Sequence, residues 1–510
     1  MSARPRTQAA SATIARHPIA FAGLLLIAFA LRAVNLTGES LWRDEVDIVN
    51  FALQPIRSLL AGFTEKGFNG PLYLLLMRPW LSLAGVNDFA LRYFSLLCSI
   101  VLIALVWVLA RRWVGPRAAW VTAWLLAVSP VHIWYAGEGK MYTLQPLLLV
   151  LAIYALARIL TSNSKAARWW WVFVVATSCA FYVHVLSPVF LVVAAAVFVS
   201  QWPVARAHLK GAFIALACLT VPYVPLLIWQ FPALSRGIET GHTFYPLGTM
   251  AQVLLADWSY GFGINAPLYF ITQPAWVRWV CIGLFAGLAG VGLIRLLAQR
   301  PQIAMGLWAW LILPALAVYA VSTRAPVFEP RYLLWCAPVL FILIGAGITG
   351  NEKTKLSLPT HLSLILIALL TLISLLGLAA QWARPIRPDM RAATSFVSSR
   401  LETNDIVTFQ IPHGRYTFGY YLASRPLQPG QNAPQVVEGP YTNYGMSEVD
   451  VEQAVMPYVP PDRNLWLIEL EPAMWDARGM VRRWYDDHIP LIERREFNGI
   501  TVSLYRHHAP

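Results

Sequence analysis

The sequence predicts a polytopic α-helical membrane protein with a small α/β domain at its carboxyl end. Hydrophobic residues make up 57% of the 510 residues, and charged residues only 13%. Mean hydropathy is +0.54, which is typical of chains that cross a membrane several times. After Trp382 the composition becomes more polar. The segment 385–510 has about 126 residues, which is long enough for a separate soluble domain.

Apolar runs of roughly 20 residues mark the predicted membrane spans. Eleven such runs occur before residue 384, and the sixth is short and follows the fifth closely at Ser187-Pro188. The predicted spans are 18–36, 89–111, 117–135, 141–160, 169–187, 188–202, 211–231, 276–298, 303–322, 331–350 and 361–381. The basic amino terminus precedes the first run without a small-residue cleavage site, so we expect an uncleaved span.

Basic residues set the expected orientation. If the amino terminus is cytoplasmic, every short connection on the cytoplasmic side is basic, as the positive-inside bias requires. These connections carry Arg111, Arg112, Arg117, Lys165, Arg168, Arg206, Lys210, Arg295, Arg300, Lys353 and Lys355. The orientation places 37–88, 136–140, 232–275, 323–330 and the chain after 381 outside the cytoplasm. We therefore expect a plasma-membrane protein whose functional face and carboxyl domain are extracytoplasmic.

The two longest outer segments within residues 1–384 show helical spacing but are too interrupted to cross a bilayer. We predict surface helices in 37–88, at 45–62 and 70–84, and another in 232–275. In the domain 385–510, short apolar strands at 405–411, 465–470 and 500–506 alternate with helical patterns at 390–401 and 477–488.

Composition also excludes several functions. The net charge of +13 comes from basic residues scattered between apolar runs, with no single patch, which argues against nucleic-acid binding. The five cysteines lie singly inside apolar runs, so they predict neither disulfides nor a metal site. No glycine-rich loop follows any predicted strand, and nothing indicates a nucleotide site.

Unusual polar residues gather on the predicted outer face. A cluster of carboxylates opens the first outer loop, and two arginines lie outside against the positive-inside bias. The candidates are Asp44, Glu45, Asp47, Asn69, Tyr73, Glu138, Lys140, Tyr142, His184, Arg324, Arg331 and Tyr332. Each has a simpler explanation alone, such as a solvated turn, an interface histidine or a local ion pair. Together they describe an acid/base site beside an anion site, which suits transfer from a phosphate-linked lipid.

At these residues the chain resembles the glycosyltransferases of the GT-C membrane fold. The similar families are the dolichyl-phosphate-mannose protein mannosyltransferases and the aminoarabinose transferases acting on lipid A. The resemblance rests on four stretches in order: Ser40-Leu-Trp-Arg-Asp44-Glu45, Gly70-Pro71-Leu72-Tyr73, Glu138-Gly139-Lys140-Met141-Tyr142 and Glu329-Pro330-Arg331-Tyr332. It covers residues 1–350 and says little about the sugar.

The resemblance implies a polyprenyl-phosphate sugar donor and one inverting displacement at the anomeric carbon. The acceptor is a glycan, a lipid or a protein. Asp44 would be the base, with Glu45 beside it, and Glu138, Asp47, Asn69 and Tyr73 would orient the acceptor or a metal. Arg331 suits a phosphate clamp, with Lys140, Arg324 and Tyr332 as further phosphate-binding candidates. His184 and Tyr142 complete the set.

Three positions depart from the family pattern. Asn69 replaces a histidine, Gly137 a glutamine and Lys140 an arginine. Because that histidine is a candidate metal ligand in relatives, its loss puts metal binding in doubt. The oxygens of Asp44, Glu45 and Glu138 could still hold a divalent cation.

Two other classes remain open at this point. A flippase or transporter of lipid-linked sugars would also bind phosphate, but it favours ionisable residues near the bilayer midplane and related halves, neither of which is evident. A polysaccharide polymerase or ligase would also work at the outer face. The Asp44-Glu45 pair directly after the first span favours the glycosyltransferase.

Overall fold

The computed structural model describes most of the chain. The described residues are 6–63, 69–161, 166–223, 243–261, 275–350, 358–383, 385–402, 404–424, 434–440, 442, 445–459 and 463–506. The chain divides into two compact units. The helical unit comprises Met1–Leu36, Gln54–Gly85 and Ala90–Ala383, and the sheet unit comprises Thr37–Leu53, Val86–Phe89 and Arg384–Pro510. The predicted division at residue 384 stays a prediction.

Long apolar helices build the helical unit. The α-helices of the amino half are Arg6–Ala33, Ile56–Ala61, Pro71–Ala84, Asp88–Trp113 (from Ala90 on), Pro116–Val128, Pro130–Ala136, Leu144–Ile159 and Ala166–Val183. Those that follow are Phe190–Ser200, Trp202–Ala205, Leu209–Thr220, Leu247–Tyr260, Ala275–Gln299, Pro301–Ser322, Ala337–Thr349 and Thr360–Trp382. Short 3-10 turns occupy Ser187–Val189, Arg206–His208, Val221–Tyr223 and Pro330–Cys336.

The helices are those of a multi-pass membrane protein. Among the described residues, 5 helices are long and apolar enough to cross a membrane, or up to 7 if each bent pair counts as one span. Shorter apolar helices occupy Pro18–Ala33 and Leu144–Ile159. A helix lies in the described part of each of the eleven predicted segments, but the count of eleven spans stays a prediction. The short sixth segment is one arm of a pair bent by 92°.

The segment 37–88, which is predicted to lie outside, also contains helices, at Arg43–Ala52, Ile56–Ala61 and Pro71–Ala84. In the segment 232–275 the structure shows the helix Leu247–Tyr260. The rest of that prediction, at 232–242 and 262–274, lies outside the described residues.

Glycines allow two helices of the helical unit to approach closely. A Cβ on Gly292 would overlap the carbonyl oxygen of Leu343, and one on Gly347 would overlap that of Leu288. Small residues at such positions are the usual means of packing membrane helices backbone to backbone. The helix Ala337–Thr349 is buried over almost its whole length as a result. It fixes the turn Pro330–Cys336 that precedes it.

A buried arginine stabilises the break between Pro116–Val128 and Pro130–Ala136. The break bends the chain by 57° because Pro130 cannot continue the hydrogen-bond ladder. Arg32 is 2% exposed and donates to the carbonyl oxygens of Leu126 at 3.2 Å, Ala127 at 2.8 Å and Ala28 at 3.1 Å. Its Nε donates to Ser99 Oγ at 2.8 Å. One guanidinium thus satisfies carbonyls near the break that would otherwise lack donors in lipid.

Replacing Arg32 by methionine should therefore destabilise the helical unit. An unsatisfied buried polar group costs about 1–3 kcal/mol, and several carbonyls lose their donor together. We expect the melting temperature of the purified protein to fall by several degrees. Arg32→Lys should recover only part of the lost stability, because an ammonium group lacks the planar, forked N–H donors of a guanidinium. Exposed Arg57→Met is the control, and equal melting temperatures for Arg32→Met and Arg57→Met would contradict this role.

The sheet unit contains a five-stranded mixed sheet with strand order β2-β1-β3-β5-β4. The strands are β1 Ile406–Phe409, β2 Gln435–Val437, β3 Asn464–Leu470, β4 Leu491–Phe497 and β5 Ile500–Arg506. β1 pairs in parallel with β2 and β3, and β5 pairs antiparallel with β3 and β4. The helices of this unit are Arg43–Ala52, Met390–Ser398, Gly414–Ala423, Glu448–Val455, Pro472–Trp475 and Met480–His488. The central strand β3 is buried along its whole length.

The three predicted strands and both predicted helices of this domain are present, with small differences at their ends. The sequence pattern did not predict β2, β4 or the helices Gly414–Ala423 and Glu448–Val455. β4 contains the charged run Glu493–Glu496 and is largely exposed. It is an edge strand, where charges are common because they discourage pairing with other chains.

The predicted topology can be tested on the sheet unit. A cysteine introduced at the exposed Asp487 should react with a membrane-impermeant maleimide in intact cells, in a protein whose native cysteines have been replaced. The basis is the one-sided distribution of basic connections. Cysteine at Lys210, on a predicted cytoplasmic connection, is the matched control. Labelling of the Lys210 cysteine, with protection of the Asp487 cysteine until the cells are lysed, would contradict the orientation.

Candidate active site

Arg331 lies in an aromatic cage at the start of the turn Pro330–Cys336. Its guanidinium carbon is 5.3 Å from the ring centre of Tyr142 and 5.7 Å from that of Tyr332. Its Nε lies 4.0 Å from Glu329 Oε2, and the side chain is 19% exposed. Two aromatic faces hold a cation in place without neutralising it. The structure thus brings Tyr142 next to Arg331 and Tyr332, which lie far from it in the sequence.

His184 is the third wall of this cage and is fully buried. Its ring centre lies 4.6 Å from that of Tyr332 and 6.3 Å from that of Tyr142. Its Nδ1 accepts the backbone N–H of Leu186 at 3.2 Å, so a neutral ring carries its proton on Nε2. Within the described residues that Nε2 has no hydrogen-bond partner. A buried donor without a protein partner points to a ligand or a water.

Asn69 is brought next to His184. Its Oδ1 accepts the backbone N–H of Val185 at 3.1 Å, which fixes the turn after the helix Ala166–Val183. Gly70, with φ +79°, starts the helix Pro71–Ala84 and passes close to the Val183 carbonyl oxygen. Asn69 therefore positions the turn that carries His184. It is one of the three positions at which this chain departs from the family pattern.

Tyr73 and Lys140 are joined through Ser95. Ser95 Oγ donates to the Lys140 carbonyl oxygen at 3.0 Å, and the Tyr73 hydroxyl lies 3.5 Å from Ser95 Oγ. Tyr73 is fully buried. The side-chain charge of Lys140, like that of Arg331, acts on the His184 ring. Lys140 thus contributes a second positive charge near the cage, while Tyr73 holds the backbone of the turn.

Three carboxylates and Arg331 act electrostatically on Tyr135. Glu138, Asp257 and Glu329 all lie close enough to act electrostatically on the Tyr135 hydroxyl. Glu138 is 1% exposed and Asp257 is 4% exposed. Sequence reasoning did not select Asp257. The available signal was a lone carboxylate within an otherwise apolar helix, Leu247–Tyr260.

The structure does not place Arg324 in the cage. It lies exposed after the helix Pro301–Ser322, whereas Arg331 packs against the rings of Tyr142 and Tyr332. The sequence made Arg324 a weaker candidate than Arg331 for phosphate binding, and that role stays a prediction.

The carboxylates that follow the first predicted span lie in the sheet unit, on the first turns of the helix Arg43–Ala52. Asp44 is half-buried. Asp47 is paired with Arg43, with Nε and Oδ2 3.5 Å apart. The positive end of the helix dipole favours negative charge at these positions.

Glu45 has a structural partner. It is fully buried, caps the helix by accepting the N–H of Trp42 at 3.4 Å, and accepts from Arg387 at 3.4 Å. Arg387 also lies 3.8 Å from Glu39. Because removing one partner of a buried ion pair leaves an uncompensated charge, Glu45 is needed to hold segment 37–53 in the sheet unit. The catalytic role that the sequence predicts for Glu45 stays a prediction, in addition to this structural role.

His413 lies close enough to Arg43 and Asp44 for their charges to affect its pKa. Burial first, and then the positive charge of Arg43, lower the pKa of His413 to about 4, against a smaller opposing effect of Asp44. The imidazole ring is 5% exposed and contacts the ring of Trp475 at 5.2 Å between centres. His413 is therefore neutral at physiological pH.

Acid should destabilise the sheet unit through His413. Its folded pKa lies below the unfolded value near 6.5, so the unfolded state binds more protons between these values and stability falls from pH 6.5 to pH 4. The protection factors of the β3 amides, which correct for the slower intrinsic exchange in acid, should fall over this window. His413→Gln should flatten that part of the dependence, and His488→Gln, an exposed position, should not. An unchanged pH profile in His413→Gln would contradict this assignment.

Among the residues that the structure describes, no group of three or more His, Cys, Asp or Glu side chains could hold a metal ion. A divalent cation held by Asp44, Glu45 and Glu138 stays a prediction. Glu45 is engaged by Arg387 within the sheet unit.

Comparisons with known proteins agree with the fold. The profile of the dolichyl-phosphate-mannose-protein mannosyltransferase family matches residues 69–229. No curated protein sequence matches the chain significantly.

Among solved structures, apo ArnT from Cupriavidus metallidurans superposes with TM-score 0.59 at 13% identity, covering 96% of this chain and 98% of that one. ArnT bound to undecaprenyl phosphate gives 0.56 at 14% identity, with 95% and 97% covered. AglB from Archaeoglobus fulgidus, with an inhibitory peptide and a dolichol-phosphate, gives 0.52 at 11% identity, with 96% and 74% covered. The chain therefore has the GT-C glycosyltransferase fold and resembles the dolichyl-phosphate-mannose-protein mannosyltransferase family over residues 69–229.

Proposed function

We propose that this protein is an integral-membrane glycosyltransferase. It moves a sugar from a polyprenyl-phosphate donor to an acceptor at the outer face of the plasma membrane, with inversion at the anomeric carbon. The observation that carries the proposal is the cage around Arg331, in which two tyrosines and buried His184 surround a largely buried guanidinium. The Nε2 of His184 has no hydrogen-bond partner among the described residues. The neighbouring structures in complex with undecaprenyl phosphate and dolichol-phosphate support the proposal.

The cage suits a leaving phosphate. A polyprenyl-phosphate sugar is a phosphodiester with one negative charge, and its departure leaves a monoester with up to two. A guanidinium held in advance stabilises this growing charge more strongly in the transition state than in the ground state. The Nε2–H of His184 would donate to the same phosphate, and Lys140 would add charge from a greater distance.

The acceptor hydroxyl needs a base. We assign that role to Asp44, as the sequence predicts, with Asp47 as its nearest substitute. Asp44 would take the hydroxyl proton while the acceptor oxygen bonds to the anomeric carbon and the carbon–oxygen bond to phosphate breaks. Glu138 would orient the acceptor, and Glu45 would hold the helix that carries Asp44. Residues 385–510 would form the extracytoplasmic domain.

Mass spectrometry of cells with and without the protein tests this function. Loss of the protein should cause one lipid-linked sugar to accumulate and one surface glycan, glycolipid or glycoprotein to lose that sugar. Cells that carry Arg331→Ala should match the deletion. Treating membranes with EDTA in the corresponding transfer assay tests the divalent cation that the resemblance leaves open. Unchanged lipid-linked sugars and unchanged surface glycans would reject the function.

A further inference from the structure

The sheet unit contains a groove that the proposed chemistry does not use. Its volume is about 1120 Å³, slightly above the ~300–1,000 Å³ that is usual for small-ligand sites. All residues that line it belong to the sheet unit. One wall is a face of the helix Gly414–Ala423, where Arg415, Tyr416, Gly419, Tyr420 and Ala423 recur at helical spacing.

A polar network fixes one side of this groove. Asp88 accepts from Arg391 at 2.6 Å, from the Tyr420 hydroxyl at 3.0 Å and from the Tyr421 hydroxyl at 2.9 Å. Arg391 also donates to the carbonyl oxygens of Thr37 and Glu39. Since both tyrosine hydroxyls are engaged, the two rings are held in fixed positions. A rigid aromatic wall costs little entropy when a ligand binds.

Arg415 and the exposed Tyr416 lie on the same helical wall. Arg415 donates to the Tyr416 hydroxyl at 2.8 Å and lies 4.7 Å from the Tyr416 ring centre. It is also paired with Glu438. Tyr416 is 40% exposed. This part of the groove therefore offers an aromatic face next to forked N–H donors.

Sugars match this combination of surfaces. A pyranose ring has an apolar face that packs on aromatic rings, and hydroxyls at its edge that accept from planar donors such as guanidinium groups. An extended peptide would instead pair with a free strand edge. The edge strand near the groove, β2, has only three residues, and the wall is helical. The observations therefore favour a saccharide over a peptide.

We propose that this groove binds the saccharide part of the acceptor, with two or more rings against the helix Gly414–Ala423. The acceptor role of this saccharide rests on the proposed function, whereas the binding of a saccharide in the groove does not. The saccharide can come from a glycolipid headgroup or from a free glycan, which share this chemistry.

Gly419 offers a sharp test. A Cβ at this position would meet no atom within 4 Å, and Gly419 lines the groove. Gly419→Trp should therefore fill the groove without disturbing the fold, whereas Gly419→Ala should leave it open. Tyr416→Ala is a second, independent test, because it removes an aromatic ring from the groove. The native ring is exposed, so its removal should not destabilise the fold.

The full-length protein in nanodiscs would be applied to an array of neutral and anionic oligosaccharides and of serine- and threonine-rich peptides. Liposomes that carry the same saccharides as glycolipids distinguish the two sources. We expect saccharide binding by the native protein and by Gly419→Ala, and weakening of about ten-fold or more in Gly419→Trp and Tyr416→Ala. Melting temperatures confirm folding.

Donor binding, measured with polyprenyl phosphate, should be unchanged in Gly419→Trp. In a transfer assay the same variant should raise the acceptor KM and leave kcat nearly constant. If the protein binds saccharide and Gly419→Trp weakens that binding, but no sugar is transferred, the proposed function is rejected and this inference stands. Saccharide binding that is equal in Gly419→Trp and Gly419→Ala, an absence of saccharide binding, or binding only to peptides would overturn this inference.

Discussion

Replacing Arg331 by alanine is expected to reduce sugar transfer by several orders of magnitude and to weaken donor binding. Arg331 is the cation held between Tyr142 and Tyr332, beside His184. Removing one charged group that stabilises a developing anion typically costs about 10²–10³ in rate. Arg331→Lys should recover part of the rate, because lysine keeps the charge but lacks the forked, planar donors.

The matched control is Arg206→Ala, an exposed arginine on a predicted cytoplasmic connection. It should bind donor and turn over like the native protein. Initial rates at several concentrations of a polyprenyl-phosphate sugar separate KM from kcat, and melting temperatures exclude unfolding. If Arg331→Ala kept native donor affinity and native turnover, the cage would not be the phosphate site.

Asp44→Asn is expected to abolish transfer while the protein stays folded and binds donor normally. Asparagine keeps the shape of aspartate, but it cannot take a proton at neutral pH. Loss of one general base usually costs ~10²–10⁴ in rate. The measurement is transfer to acceptor by the purified variant in nanodiscs, with binding of polyprenyl phosphate followed separately.

Asp47→Asn provides the comparison on the same helix. Asp47 is paired with Arg43 and lies three residues after Asp44, near the same face. We expect a smaller loss than in Asp44→Asn. Near-native turnover in Asp44→Asn with loss in Asp47→Asn would move the base to Asp47, and near-native turnover in both would remove this helix from the chemistry.

Local patterns predicted much of this molecule because local physics determines those parts. Runs of apolar residues specify helices wherever they are long enough, so a helix lies in the described part of each predicted span. The ordered motifs around Tyr142 and Arg331 were predicted to share one face, and the structure brings the two side chains together although they are 189 positions apart in the sequence. The strand β3 followed from its run of mostly apolar residues.

Features that depend on distant partners could not be predicted. Nothing near Glu45 in the sequence reveals its partner Arg387, 342 residues later. Asp88 appeared to be an ordinary residue at the start of a helix, and only the fold brings Arg391, Tyr420 and Tyr421 to it. Arg32 likewise lay inside an apolar run, without any sign of the carbonyls that it satisfies.

The central claim is that a carbon–oxygen bond to a polyprenyl phosphate is broken and its sugar passes to an acceptor. The most direct measurement uses purified protein in nanodiscs with a polyprenyl-phosphate sugar labelled at the anomeric carbon. Released polyprenyl phosphate and glycosylated acceptor are counted together, and NMR gives the anomeric configuration. We predict equal amounts of both products, with the anomer inverted, and neither product with Arg331→Ala. An intact donor that is only moved across the bilayer in vesicles would contradict the account and indicate a flippase.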